Sequence, residues 1–261
     1  MADYTIKMDE EIEAQFAVVI LAMELAAEFA SVGERVGKAL PDLPLPPSDI
    51  VVKYGTGRHR QVSSKFGQYC ANYSLVLMIS GCEQYLRQLT LFSRIAAEIA
   101  RSRGPIRGDR FEQIRQDVAR DKSPLWRVFS ELLKTLGRKR QTIYGRTWFT
   151  SLERIRNCLV HRAGVVGDAD IPKKAVFEAI WPKTTITDPD GRLVTSLPFR
   201  TEKGGEYRIT ATPQKRVWQK GERIAISAQD CHDMAFSLAQ FCDQVRIQVH
   251  AGLEDLLLGA A

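Results

Sequence analysis

Arg156, Asn157 and His161 fall within one six-residue stretch, and together they bring a fixed positive charge, an amide and a titrating ring. On a helix, Glu153, Asn157 and His161 follow one another at four-residue steps, so each is turned only about 40° from the last and all three share a face. An imidazole titrates near neutrality and can take or give a proton, while a guanidinium suits charge developing on an oxyanion or phosphate. Arg156, however, lies about 140° around the same helix from His161. Two copies of the helix packed antiparallel across a two-fold axis would bring the arginine of one to the histidine of the other, so a homodimer with these helices at its interface is expected. The same residues also suit structural work: Arg156 paired with Glu153 or Glu112, Asn157 satisfying backbone, His161 at a helix C-terminus where positive charge is favoured.

The chain carries 37 Lys and Arg against 31 Asp and Glu, a net charge of +6. Between Arg101 and Arg146 there are 13 basic residues and 5 acids, a local excess larger than that of the whole chain. This leans toward a polyanionic partner, and equally describes a solvated helical surface. Candidate phosphate contacts are Arg162 beside the histidine, Arg138, Lys139, Arg140 and Arg146 in the basic run, and Arg58 and Arg60 near the N-terminal third; Tyr144 is the candidate base-stacking residue. Cys231, His232, Cys242 and His250 match no finger or ribbon spacing, so no metal and no cofactor are expected. Walker, G-x-S-x-G and post-strand G-x-G-x-x-G signatures are absent, which argues against nucleotide hydrolysis, esterase chemistry and dinucleotide binding. Five cysteines without a C-x-x-C pair fit a reducing cytoplasm. An acidic N-terminus and an apolar run interrupted by Glu24 predict neither signal peptide nor membrane span.

The elements that must position these residues are mostly helical. Apolar periodicity predicts a helix from about Asp9 to Leu40, ended by Pro41, Pro44, Pro46 and Pro47. A glycine-broken basic stretch follows, Lys53 to Arg60, then a long helix from Ser63 to Arg103. Shorter helices are expected at Phe111 to Ala119 and from Pro124 to Leu136, with Ser123 as N-cap. The helix bearing the motif is expected from Thr147 to Ala163, with Trp148, Leu152, Ile155 and Leu159 buried and Gly164 left-handed at its end. Turn signals then separate short alternating runs, Arg192 to Ser196, Glu206 to Thr212, Arg216 to Gln219 and Arg223 to Ser227, which predict a small antiparallel sheet. Ser227 and Asp230 resemble a cap for a last helix that reaches Leu256 and returns to the core. The segments are therefore 1–47 as helix and linker, 48–168 as helical core, 169–227 as a β-rich excursion and 228–261 as the closing helix.

Arg-Asn-x-x-x-His followed by Arg162-Ala163-Gly164-Val165-Val166-Gly167 resembles the R-x(4-6)-H motif of the HEPN superfamily, in the form with Asn after Arg. Gly81-Cys82-Glu83-Gln84-Tyr85-Leu86 is similar to the helix that precedes the motif in that family. The resemblance implies a mainly α, HEPN-type antiparallel helical bundle with a small antiparallel β insertion before the C-terminal helix. It also implies RNA as partner and metal-independent endoribonuclease chemistry, in which the ribose 2′-OH attacks its phosphate to leave a 2′,3′-cyclic phosphate and a 5′-OH. In that reading His161 moves the proton, Arg156 stabilises phosphate charge and Asn157 orients His161 or the phosphate. A toxin or antiviral role, with a cognate antitoxin or regulatory protein, follows from the family's habits. So does the alternative of an inactive binding or scaffold module that dimerises through the motif helix.

Overall fold

The computed structural model describes residues 2–39, 49–138, 146–171, 176–192 and 208–258, with side chains described outside 2–7, 49–64, 146, 184, 209 and 258. The chain is mainly helical: α1 (Ala2–Ala39), α2 (Asp49–Ser102), α3 (Gly108–Arg120), α4 (Leu125–Thr135), α5 (Arg146–Arg162) and α6 (Ala228–Leu258), with β1 (Val176–Thr187) and β2 (Arg208–Gln219) between the last two helices. Contacts divide the chain into two compact units, Met1–Leu21 with Ile79–Glu153 and Leu238–Ala261, and Ala22–Met78 with Arg154–Ser237. The division thus cuts across the four segments read from the sequence. Helices α1, α2, α5 and α6 each give residues to both units.

In the first unit the core is aromatic. Phe241 of α6 meets Phe149 of α5 at 4.8 Å and Phe129 of α4 at 5.2 Å between ring centres, and Trp148 joins at 6.2 Å; such tilted pairs add to the burial of large rings. The expected cap of α4 is displaced by one residue: Pro124, not Ser123, precedes the first helical turn, its carbonyl accepting from Arg127 and Val128 at 2.8 and 3.1 Å. Ser123 instead donates its backbone N–H to Asp121 Oδ1 at 2.8 Å. The Ser123 hydroxyl first, and this N–H after it, hold the Asp121 carboxyl below its usual range against its partial burial.

Two glycines set the closeness of α1 and α2 in the second unit. A Cβ on Gly33 would run into Cys70, and one on Gly67 would lie 2.9 Å from the Glu34 backbone, so each helix approaches where the other lacks a side chain. Met8–Ala39 of α1 is long and apolar enough to cross a membrane by length and composition, with a third of its most apolar window buried in the protein. Helix α2 begins at Asp49, so the stretch through Gly55 and Gly57 expected as a broken loop is helical. Two glycines cost about 1 kcal/mol each against alanine, which a long continuous hydrogen-bonded helix can absorb.

The β excursion is a two-stranded antiparallel ribbon in continuous register, from Val176 opposite Gln219 to Thr187 opposite Arg208. Phe177, Ala179 and Trp181 alternate into the buried side, and Phe177 meets Trp218 across the pair at 5.8 Å. Strand β1 has no counterpart among the expected runs, and the expected runs Glu206–Thr212, described from Arg208 on, and Arg216–Gln219 merge into one strand across Pro213. Most of Arg192–Ser196 lies outside the described residues. The run from Arg223 to Ser227 is not a ribbon strand: Ile224 and Ile226 are buried, and the Asn72 side chain brackets them, donating to Ile224 O at 3.1 Å and accepting from Ile226 N at 3.3 Å. Ser227 and Asp230 form the expected reciprocal cap of α6, Asp230 N donating to Ser227 Oγ at 3.1 Å and Ser227 N to Asp230 Oδ2 at 2.9 Å.

Candidate functional site on helix α5

The motif lies in the second unit, on the last two turns of α5. Ile155 and Cys158 are fully buried and fix which side of the helix faces inward. The outward arc carries Arg156 and Asn157, half-buried, then Val160 and His161, both exposed. Arg156 Nη1 donates to Asn157 Oδ1 at 3.2 Å. Successive residues on a helix do not face one another, so the two side chains must lean together. Residue 157 lies about 100° around from 156 and 161 about 140° around in the same sense, so this lean carries the guanidinium toward the imidazole side. Asn157 therefore orients the arginine, the group that straight-helix geometry left poorly placed.

The end of α5 is locked by a different set of contacts. Ala163 and Gly164 both have positive φ, 50° and 75°, turning the chain so that Gly164 N–H reaches Cys158 O at 3.1 Å. Arg162, expected as a phosphate contact, is spent here: Nε donates to Asp170 Oδ2 at 2.7 Å and Nη2 to Oδ1. Gly167 N–H gives the carboxylate a third donor at 2.9 Å. Asp170 is all but sealed, its side chain 3% exposed against 30% for Arg162. The bidentate contact raises the Arg162 guanidinium further above its ordinary range. Burial first, then the Asp170 charge, pushes the Cys158 thiol up, leaving a neutral sulfur that donates to Val165 O at 3.4 Å rather than a nucleophile.

Sequence reasoning missed Arg154. Its Nη2 donates to Asp170 O at 2.8 Å and its Nη1 to Glu178 O at 3.2 Å, with the guanidinium 4.6 Å above the Phe177 ring. It ties α5 to the start of the ribbon, and no local pattern marks it, since its partners lie 16 and 24 residues away. Arg223 closes the same region by donating to Ala163 O at 2.8 Å.

Comparison with family models, with characterised proteins and with solved structures returns no match.

Arg138, in the first unit, is engaged with Asp255 at 2.7 Å. Much of the basic run around it pairs locally, as in Arg101 and Arg110 with Glu98, Arg115 with Glu112 and Arg107 with Asp109, which is how a solvated helical surface is built. The Arg115 contact pulls the Glu112 carboxyl down to about 2. Lys139, Arg140 and Tyr144 lie outside the described residues, as do the side chains of Arg146, Arg58 and Arg60. Among the described residues no three His, Cys, Asp or Glu side chains converge as a metal site. His232 bonds Ser31 Oγ at 2.7 Å, and His250 sits between Asp9 and Glu13 at 2.8 and 3.0 Å. All five cysteines are free and buried.

Proposed function

We propose that this chain is a metal-independent endoribonuclease of HEPN type, with His161 as the proton-transfer group, Arg156 as the stabiliser of phosphate charge and Asn157 as the residue that aims Arg156. The observation that carries the reading is the Arg156–Asn157 bond beside an exposed imidazole. It leaves a ring open to a substrate and a guanidinium leaning to the same side of one helix. The step would be attack of the ribose 2′-OH on the adjacent phosphorus, with the hydroxyl proton passing to a base and the 5′-oxygen leaving with a proton, to give a 2′,3′-cyclic phosphate. A second protomer's α5 would supply the complementary group, since one imidazole holds one proton at a time. Single-stranded RNA is the substrate class, because the attacking hydroxyl needs a backbone free to align in-line.

Purified protein should cleave single-stranded RNA in excess EDTA and leave cyclic-phosphate ends. Arg156→Ala and His161→Ala should each lower the rate at least about a hundredfold while the circular dichroism spectrum stays unchanged. Asn157→Ala should cost less, since it acts through the arginine. Full activity in His161→Ala would defeat the proposal. The second reading, a non-catalytic module that docks through the same helix, is favoured by Val160, 49% exposed in the middle of the polar arc. It expects no cleavage of any RNA, and a change in association when Val160 is made charged.

A further inference from the structure

We infer that the joint face of α1 and α2 in the second unit is a self-association surface, and that its occupant is a second copy of this chain. Leu25, Phe29, Val32 and Val36 recur along α1 at four, three and four residues, and Tyr69, Tyr73 and Leu77 along α2 at four and four. All seven are exposed, from 38% at Val36 to 61% at Leu25. The stripes are one surface: Phe29 and Tyr73 meet edge to face at 6.4 Å, and the glycine contacts at Gly33 and Gly67 draw the two helices together beneath them. Scattered exposed apolar residues need no explanation, whereas a contiguous patch of this kind marks an interaction site.

Area and charge select the occupant. Seven large side chains, each roughly half exposed, offer on the order of 600 Å² at about 150–250 Å² per large residue, most of the ~800 Å² that each partner gives to a specific interface. Helix α5 exposes one large apolar residue among those described, Val160, and offers far less apolar area. On the α1 stripe Glu28 and Arg35 bond each other at 3.1 Å, and Glu34 bonds Lys38 one turn on at 2.7 Å, so these exposed charges cancel and leave the face neutral. A nucleic-acid backbone or an anionic bilayer asks for surplus positive charge. A two-fold copy asks only that the surface match itself, and two exposed tyrosines are the residue type that anchors such contacts. The face also runs into a groove of about 390 Å³ where Tyr69, Tyr73 and Val76 meet Leu159 and Ala163 of α5. Self-association here sets two motif helices at the margins of one interface. The inference rests on the exposed face and stands whether or not α5 cleaves RNA.

Sedimentation of the full chain at micromolar concentration tests it. The wild type should be a dimer, His161→Ala should remain one, and Leu25→Lys and Tyr69→Lys should each raise the dissociation constant by about thirtyfold or more. Both side chains are largely solvent-exposed, so the helicity of the two variants should match wild type, and any fall in melting temperature should vanish on dilution of the wild type to its monomer. A wild-type monomer overturns the inference, as does a dimer indifferent to both substitutions. Flotation of monomeric wild type with phosphatidylcholine vesicles also overturns it and gives the face to lipid. A wild-type dimer that cleaves no RNA defeats only the nuclease reading, and loss of the dimer in Leu25→Lys with RNA cleavage absent throughout upholds this inference alone.

Discussion

Removing the Arg162 side chain separates a structural role from an RNA-binding one. Asp170 sits with its side chain 3% exposed and accepts two bonds from Arg162 and one from Gly167 N–H. In Arg162→Ala the carboxylate keeps only the backbone donor. Hydrogen bonds to a charged group contribute about 1.5–3 kcal/mol each, and stranding one member of a buried pair costs about 3–5 kcal/mol. Arg162 is 30% exposed, so water enters the vacated space and screens part of that, leaving an expected loss of about 2–3 kcal/mol. At about 2–4 °C per kcal/mol for a chain of this size, the melting temperature should fall by roughly 4–12 °C. Thermal unfolding followed by circular dichroism reads it directly. Asp170→Asn should cost less than Arg162→Ala, since it strands the more exposed partner, and the double variant should fall short of the sum, as coupled partners do. An Arg162→Ala protein that melts with wild type and only loses RNA affinity would refute the reasoning and return Arg162 to the phosphate contacts.

Backbone strain at the end of α5 predicts opposite outcomes at neighbouring positions. Ala163→Gly relieves a left-handed alanine and should stabilise by up to about 1 kcal/mol, whereas Gly164→Ala adds a Cβ 3.1 Å from Leu159 at φ 75° and should cost about 1–2 kcal/mol, both read by urea unfolding. Gly33→Ala forces a methyl against Cys70 and should destabilise by about 1–3 kcal/mol, with proteolysis of α1 as a second readout. Burial is the main cause that raises the Asp233 carboxyl, opposed by the Gln229 amide at 3.2 Å. A raised carboxyl binds its proton more tightly folded than unfolded, so its charge penalises the fold above the folded pKa and the penalty fades as pH falls through it. Asp233→Asn should therefore melt at or above the wild-type temperature at pH 7 and lose that advantage in mildly acidic buffer.

Helices α1, α3, α4, α5 and α6 were legible because apolar residues at three- and four-residue intervals must face one way. The first quarter of α2 was not, since Gly55 and Gly57 carry a breaker's local signal while the decision lies with the length of the helix around them. Strand β1 was missed because Pro182 interrupts a run whose partner, β2, is 20 residues further on, and pairing is not written in either strand alone. Around α5 the motif residues were found by spacing within one helix, and the capping pair Ser227 and Asp230 by spacing across three residues. Arg154 and the Arg162–Asp170 pair were not, because their meaning depends on a chain reversal at Ala163 and Gly164 that brings remote backbone to their side chains.

Pro182 and Pro213 stand opposite each other in the middle of the β1–β2 ribbon. The ladder continues past both, so the missing N–H of each belongs to an outward rim rather than to the seam between the strands. A stray extended peptide arriving at either rim finds a gap in the row of donors at midlength, and the ring beside it. An unpaired ribbon border is a standing invitation to aggregation, and this chain interrupts it at midlength on both strands with a single facing pair.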